Sequence, residues 1–209
     1  TDVFFDESDE PRDLQHPLGK RQLATKPAEL INVLGAKGSK AIPEMAKALA
    51  KAANTLAEGE KRAVVVFANR VATAREAAGL IGEKGRGDVV LLTGRMRPFD
   101  KEDVVREKLS LLSSEYSQKR SLEKPVFVVA TQTLEVGADL DFDALVTECA
   151  SLSALRQRFG RLNRMGREIE ANAMILVRAD QSENSLEDPV YGLALSETWK
   201  WMNPIASED

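Results

Sequence analysis

Six apolar residues run without interruption through Ala63-Val64-Val65-Val66-Phe67-Ala68, β-branched at the centre and with no polar position between them. A half-exposed strand alternates apolar and polar residues, whereas a strand covered on both faces does not. This run therefore demands a sheet with packing on each side. Val126 to Ala130 and Ala173 to Val177 repeat the pattern, Asp88 to Leu92 and Ala144 to Val146 read as shorter strands, and Leu30 to Leu34 fits an edge strand.

Helical stretches lie between these runs. Pro43 opens an alanine-rich amphipathic segment to about Ala57, where a proline in the first turn suits a helix start. Val71 to Ile81 reads as a helix, with Thr73 and Glu76 at capping-box spacing and Asn69 as a second candidate cap. Asp100 to about Tyr116 reads as a longer helix capped by Asp100, Leu152 to Phe159 as one presenting Leu152, Leu155 and Phe159 on one face, and Pro189 to Met202 as a tail helix. Alternation of strand and helix points to an α/β fold, a three-layer sandwich with a mostly parallel sheet and helices on both faces. Residues 1–25 read as an acidic linker or arm, 26–180 as the domain, and 181–209 as a helical extension.

Composition narrows the chemistry. Of 209 residues, 43% are apolar and 30% charged, enough for a core without staples. One cysteine, Cys149, excludes an internal disulfide or zinc cluster, and one histidine, His16, leaves histidine-based hydrolases and nucleases poorly supplied. No apolar run approaches the roughly 20 residues of a membrane span, so a soluble, cytoplasmic protein is expected. A chain opening at Thr1 within an acidic stretch suggests a piece of a larger polypeptide.

The net charge of −4 conceals an uneven distribution. Arg156, Arg158, Arg161, Arg164 and Arg167 crowd into twelve residues with no acid among them. Like charges three or four apart repel unless an anion compensates them, so an anionic partner is expected there. Arg161 and Arg164 project from one side of a helix end, and two guanidiniums aimed at one point can stabilise a transferring phosphoryl group, where an arginine finger supplies roughly 10³–10⁵ in rate. The loops after the strands, Asn69-Arg70, Thr93-Gly94-Arg95-Met96-Arg97 and Thr131 to Asp139, are expected on one sheet edge, pooling hydroxyls, amides and guanidiniums on a single rim suited to phosphate.

Three of these stretches resemble a known set. Gln157-Arg158-Phe159-Gly160-Arg161-Leu162-Asn163-Arg164 is similar to motif VI of superfamily 2 helicases, Thr131-Gln132-Thr133-Leu134-Glu135-Val136-Gly137-Ala138-Asp139 to their motif V, and Val65 to Arg70 to their motif IV. The string from Thr131 to Arg164 and the tail from Pro189 to Trp201 resemble in particular the helicase part of the CRISPR-associated type I helicase–nuclease family, with Asn163 where many relatives carry histidine. The resemblance covers about residues 26–202. It implies a RecA-like second helicase domain, ATP-driven movement on single-stranded DNA, and unwinding beside a guide-RNA effector complex. By position, Arg161 and Arg164 would be arginine fingers, and Gln157 a nucleotide-cleft contact. Gly137 and Asp139 would couple nucleotide to DNA, and Thr131 and Thr133 would touch the phosphate chain. Arg70, Thr93 and Arg95 are further strand contacts.

ATP hydrolysis in this superfamily needs a G-x-x-x-x-G-K-[S/T] loop for the phosphates and an acidic motif for magnesium. The chain has neither. In Gly35-Ala36-Lys37-Gly38-Ser39-Lys40 the glycines are three apart and Lys and Ser come in the wrong order, which reads as a surface loop. ATP and magnesium would then be held mainly by a first RecA-like domain, with no metal site in this chain. Two alternatives stand beside this expectation: a non-catalytic nucleic-acid or protein interaction module of RecA-like fold, and an RNA or repair helicase domain. Inward-facing or carboxylate-paired Arg161 and Arg164 would favour the module. Cys149 reads as a core thiol, Arg120 with Lys119 and Lys124 as a charged loop, and Trp199 and Trp201 as one packed and one exposed ring.

Overall fold

The computed structural model describes residues 15–60, 62–94, 103–104, 106–107, 109–134, 139–182 and 186–205. The acidic stretch before residue 15, Arg95, Asp100 and Gly137 lie outside the described residues. Six strands form one sheet: β1 (Ala28–Val33), β2 (Ala63–Phe67), β3 (Asp88–Leu92), β4 (Val126–Ala130), β5 (Ala144–Glu148) and β6 (Ala173–Arg178). Their order is β1-β6-β5-β2-β4-β3, and every strand pairing is parallel. The first run, read as an edge strand, is one.

Helices α1 (Pro17–Leu23), α2 (Ala41–Leu56), α3 (Val71–Glu83), α4 (Leu152–Phe159), α5 (Ala179–Ser182) and α6 (Ala194–Ile205) complete the layers. On one face, Met45, Leu49 and Ala53 of α2 and Ala74, Ala77 and Ile81 of α3 pack with Val64 and Val66. On the other, Val65 and Phe67 pack with Leu109, Leu112, Leu134, Leu140, Phe142 and Leu162. Successive residues of β2 thus enter opposite cores, which is why its sequence has no polar position. Leu155 of α4 joins Leu195 and Trp199 of α6 over Ile175 and Val177 of β6.

Several boundaries differ from those expected. Pro17–Leu23 is helical within the stretch read as an arm. The long helix to Tyr116 does not continue through its second half: Ser110–Leu112 and Ser117–Lys119 are separate single 3₁₀ turns. Leu109 and Leu112, at the first of these, are buried in the core. Helix α3 follows an extended Arg70 with no side-chain cap; Thr73 is buried and Asn69 is engaged elsewhere. Helix α4 has the expected bounds, but Ala154, Leu155 and Arg158 form its buried face, and Leu152 is exposed. The tail helix begins at Ala194, after a tight turn over Asp188–Gly192 closed by reciprocal backbone bonds of 3.2 and 2.7 Å. Trp199 is buried and Trp201 exposed, as their two-residue spacing requires.

Candidate functional site

Because all the strands run the same way, the loops after β2, β3, β4 and β5 meet at the carboxyl edge of the sheet. The Thr131 backbone N–H donates to Leu92 O at 3.1 Å, and the Thr131 and Thr133 hydroxyls lie 3.1 Å apart. Gln132 Nε2 donates to Asn69 O at 3.1 Å, and Asn69 Nδ2 to Cys149 O at 2.8 Å. Motif IV and motif V are therefore stitched together. Thr93 and Thr131 are buried, whereas Thr133 and Arg70 remain half-exposed to solvent, and the Arg70 guanidinium lies 4.0 Å from Asp188.

Arg158 holds this edge from below and was missed in the sequence reading. It is wholly buried. Its Nη1 donates to Thr147 Oγ1 at 2.7 Å and Glu148 O at 3.0 Å; its Nη2 donates to Asn69 Oδ1 at 3.2 Å and the Tyr191 hydroxyl at 2.8 Å. The guanidinium also sits over the Phe67 ring, 5.1 Å from its centroid. Only its place within an arginine-rich motif hinted at importance, and nothing in that pattern separates a buried arginine from an exposed one.

Arg161 and Arg164 lie toward the opposite edge. After α4 the chain turns so that Phe142 N–H donates to Arg161 O at 2.9 Å and Asn163 N–H to Phe142 O at 2.8 Å. Asp143 pairs with Ala63, the first residue of β2, and Lys26, ahead of β1, donates to Phe159 O at 3.0 Å. The Arg161–Arg164 backbone therefore flanks the strand starts, whereas the threonines cap the strand ends. Five residues of strand at about 3.3 Å each separate the two sets by roughly 16 Å. The single rim expected from the sequence is in fact two patches. The reason is that the segment after α4 returns along the sheet's face and pairs with the residues leading into β5.

The acids that answer the arginines come from the same chain. Asp139, Asp141 and Asp143 alternate with Leu140 and Phe142, which point into the core. Arg164 Nε meets Asp139 Oδ1 at 2.9 Å, while its backbone N–H donates to Asp141 Oδ1 at 2.6 Å. Arg167 reaches Asp141 at 2.9 Å and Asp143 at 2.7 Å. Arg120 pairs with Asp143 and donates to Asp141 O at 2.6 Å, so it is a buried structural cation, not part of a solvated loop. Burial holds its guanidinium below the usual range. Asn163 has φ +39, a left-handed backbone that asparagine tolerates well, and its side chain bonds Arg167 N and O at 2.8 and 2.9 Å. That turn aims Arg164 and Arg167 at successive acids.

Arg161 is largely buried; desolvation first, then the Arg164 charge, lower its pKa, and Asp139 opposes them. Arg164 and Asp139 are 30% and 62% exposed at their side chains, so their pair meets water. Such pairs contribute at most about 1 kcal/mol and exchange readily for another anion. Gln157 is exposed on α4. Among the described residues, Asp141 and Asp143 are taken by arginines, and no three His, Cys, Asp or Glu side chains form a metal cluster. The Gly35–Lys40 loop is no phosphate cradle either, since Gly38 N–H donates to the Asp180 carboxylate at 3.3 Å. In this patch Arg164, which meets water, suits a phosphate oxygen, with the largely buried Arg161 beside it. Burial pushes the Cys149 thiol up to about 12, which makes it inert as a nucleophile at neutral pH. No described helix is long and apolar enough to cross a membrane.

Known proteins share this framework. The Cas3 nuclease/helicase of Methanothermobacter thermautotrophicus is 30% identical over 115 residues, covering 54% of this chain and 12% of the relative. The chain spans about a tenth of the length of the curated relatives it matches. Among solved structures, T. fusca Cas3 with ATP superposes at TM-score 0.66 and 22% identity, over 86% of this chain and 21% of that one. A chain of a pre-nicking CRISPR RNA-guided surveillance complex gives 0.60 and 22%, over 86% and 23%. The C-terminal domain of the DEAD-box protein Dbp5 gives 0.52 and 15%, over 88% and 98%. The parallel RecA-like sheet is thus common to helicase domains. A family model described as the CRISPR-associated nuclease/helicase Cas3, C-terminal, matches residues 60–167, which include motifs IV, V and VI, and with more than half of its length inside that match the chain belongs to the Cas3 family as a helicase C-terminal domain.

Proposed function

We propose that this chain is the second motor domain of an ATP-dependent helicase that moves along single-stranded DNA in CRISPR type I interference. The observation that carries the reading is the exposure of Arg164, a motif VI guanidinium that meets water: its pairing with the Asp139 carboxylate is what the interaction module would show, but with side chains 30% and 62% exposed that pair is exchangeable. Arg164 can leave Asp139 for a phosphoryl group presented by a first RecA-like domain of the same polypeptide, with Arg161 beside it and Gln157 on the neighbouring face. ATP bound there would supply the free energy of phosphoryl transfer, with its magnesium held outside this chain. Release of Asp139 changes the charge at the end of the motif V loop, which includes Gly137, and the other end of that loop is Thr131 and Thr133. Thr133 and Arg70, which meet solvent, would face the DNA, with Thr131 and Thr93 buried behind them. Likeness to a chain of a surveillance complex supports a guide-RNA effector complex as the partner that presents the strand.

The test is Arg164→Ala in the full-length polypeptide. It is expected to lower ATP turnover by roughly 10³-fold or more while sparing binding of a fluorescent ATP analogue, and the isolated chain is expected to show no turnover. Retained turnover overturns the finger assignment and favours the interaction module, a reading for which the burial of Arg161 is the supporting observation. Matched DNA and RNA strands separate the reading from an RNA or repair helicase.

A further inference from the structure

The turn Asp188–Gly192, between α5 and α6, reaches the motif IV loop by two routes. In the first, the Tyr191 hydroxyl accepts from Arg158 Nη2 at 2.8 Å, and the same nitrogen donates to Asn69 Oδ1 at 3.2 Å. The Tyr191 ring lies 5.8 Å from the guanidinium carbon, so Arg158 is clasped between Tyr191 and Phe67. Asn69 in turn receives Gln132 of motif V on its carbonyl. In the second route, Asp188 Oδ2 lies 4.0 Å from Arg70 Nη2. Asp188 is itself fixed: Oδ1 accepts the backbone N–H groups of Val190 and Tyr191 at 2.9 and 3.1 Å, and Oδ2 accepts Gln181 Nε2 at 2.9 Å.

A buried arginine is a poor choice for stability alone, because apolar residues of like volume serve a core as well or better. What it provides is direction. Its planar fork is matched to four acceptors on β5, the loop after β2 and the Asp188–Gly192 turn, so displacing one displaces the others.

We infer that Tyr191 is a positioning residue for the DNA-facing edge: through Arg158 it sets Asn69 and Gln132, and with Asp188 holding Arg70 it makes the turn after α5 a working part of the strand grip. This inference deepens the proposed DNA-translocating role and rests on it for the strand itself.

Tyr191→Phe keeps the ring and removes only the hydroxyl acceptor. In the 209-residue chain, amide hydrogen exchange at 69–74 and 131–134 is expected to quicken roughly three- to tenfold, with β1 and β6 unchanged. Binding of a fluorescent oligothymidylate is expected to weaken by a similar factor with an unaltered salt dependence, since no phosphate contact is lost. Arg70→Ala, by contrast, is expected to reduce the slope of log affinity against log salt by about 0.7. Unchanged exchange at both loops in Tyr191→Phe overturns the inference without reference to DNA. Quickened exchange with wild-type affinity overturns the positioning role. A wild-type chain that binds no oligothymidylate sinks the functional reading instead, and leaves the exchange result to decide the coupling.

Discussion

Glu148, the last residue of β5, ends inside the protein beside Arg158, Arg178 and Asp188, and its Oε1 has no hydrogen-bond partner among the described residues. Burial raises its pKa from the ordinary 4.5 to about 7, against the pull of Arg158, and the Asp188 charge adds to the rise. A carboxyl whose folded pKa lies above its unfolded one keeps its proton in the native state longer than in the unfolded chain. Its favourable contribution is present in full below about pH 4.5, declines as pH rises through that window, and is gone above about 7. The difference corresponds to about 3 kcal/mol. Glu148→Gln imitates the protonated form, so it is expected to match wild type in urea unfolding at about pH 4 and to exceed it by up to about 3 kcal/mol at pH 8. Equal stability at both pH values would show that Glu148 ionises freely in the fold. At this scale the sequence was least informative. Arginines 156–167 invited an outside anion, and for Arg167 and Arg158 the partners are inside: Asp141 and Asp143 for one, carbonyl, hydroxyl and amide oxygens for the other. Those partners lie up to 89 residues away, so no local pattern could have announced them.

Elements follow local patterning where burial is two-sided and depart from it where one contact overrides propensity. The strands were legible because β-branched runs with no polar position have one good solution, and α4 because Leu155 and Phe159 recur at helical spacing; in the fold Ser151 caps it, accepting from Ala154 N–H at 3.3 Å. The helix anticipated through Tyr116 ends early: Ser110–Leu112 and Ser117–Lys119 are separate 3₁₀ turns, although Leu109 and Leu112, three apart, reach the core as they would from an α-helix. Helix α1 was not anticipated at all, and its docking turns on one glycine. Gly166 has φ +63, and a Cβ there would stand 2.3 Å from Lys20 O. Gly166→Ala therefore meets both a disfavoured backbone, about 1 kcal/mol, and a collision with α1. Trypsin cleavage after Lys20 and Arg21 is expected to accelerate at least tenfold in this variant, while exchange at β2 and β4 stays as in wild type. Cleavage at the wild-type rate would mean that α1 is not held by the Gly166 turn.

The whole molecule is larger than its motifs. Residues 60–167, the part matched by the Cas3 family model, hold β2 to β5 with α3 and α4, but omit β1, α2 and β6. Yet α2 supplies Met45, Ala46, Leu49, Ala50 and Ala53 to the core over Val64, Val66 and Val146, and β6 covers the edge of β5 along Leu145–Glu148. Motif residues stand out in a sequence because their residue types recur at a fixed, unusual spacing. An alanine-rich covering helix is constrained only in volume and period, so many sequences serve and none is distinctive. Its energetic weight is nonetheless decisive: a buried Leu or Met contributes about 1.5–3 kcal/mol, and the uncovered valines add a similar amount each. Against a net stability of about 5–15 kcal/mol for a domain, that loss consumes the margin. The fragment 60–167 is accordingly expected to lose near-ultraviolet dichroism and cooperative urea unfolding, and to associate through the bared β5 edge. The fragment 15–205, which keeps every layer, is expected to unfold in one sharp transition. A cooperative 60–167 of comparable midpoint would mean that the motif-bearing strands carry a core of their own, and that α2 and β6 stabilise the domain less than their buried positions require.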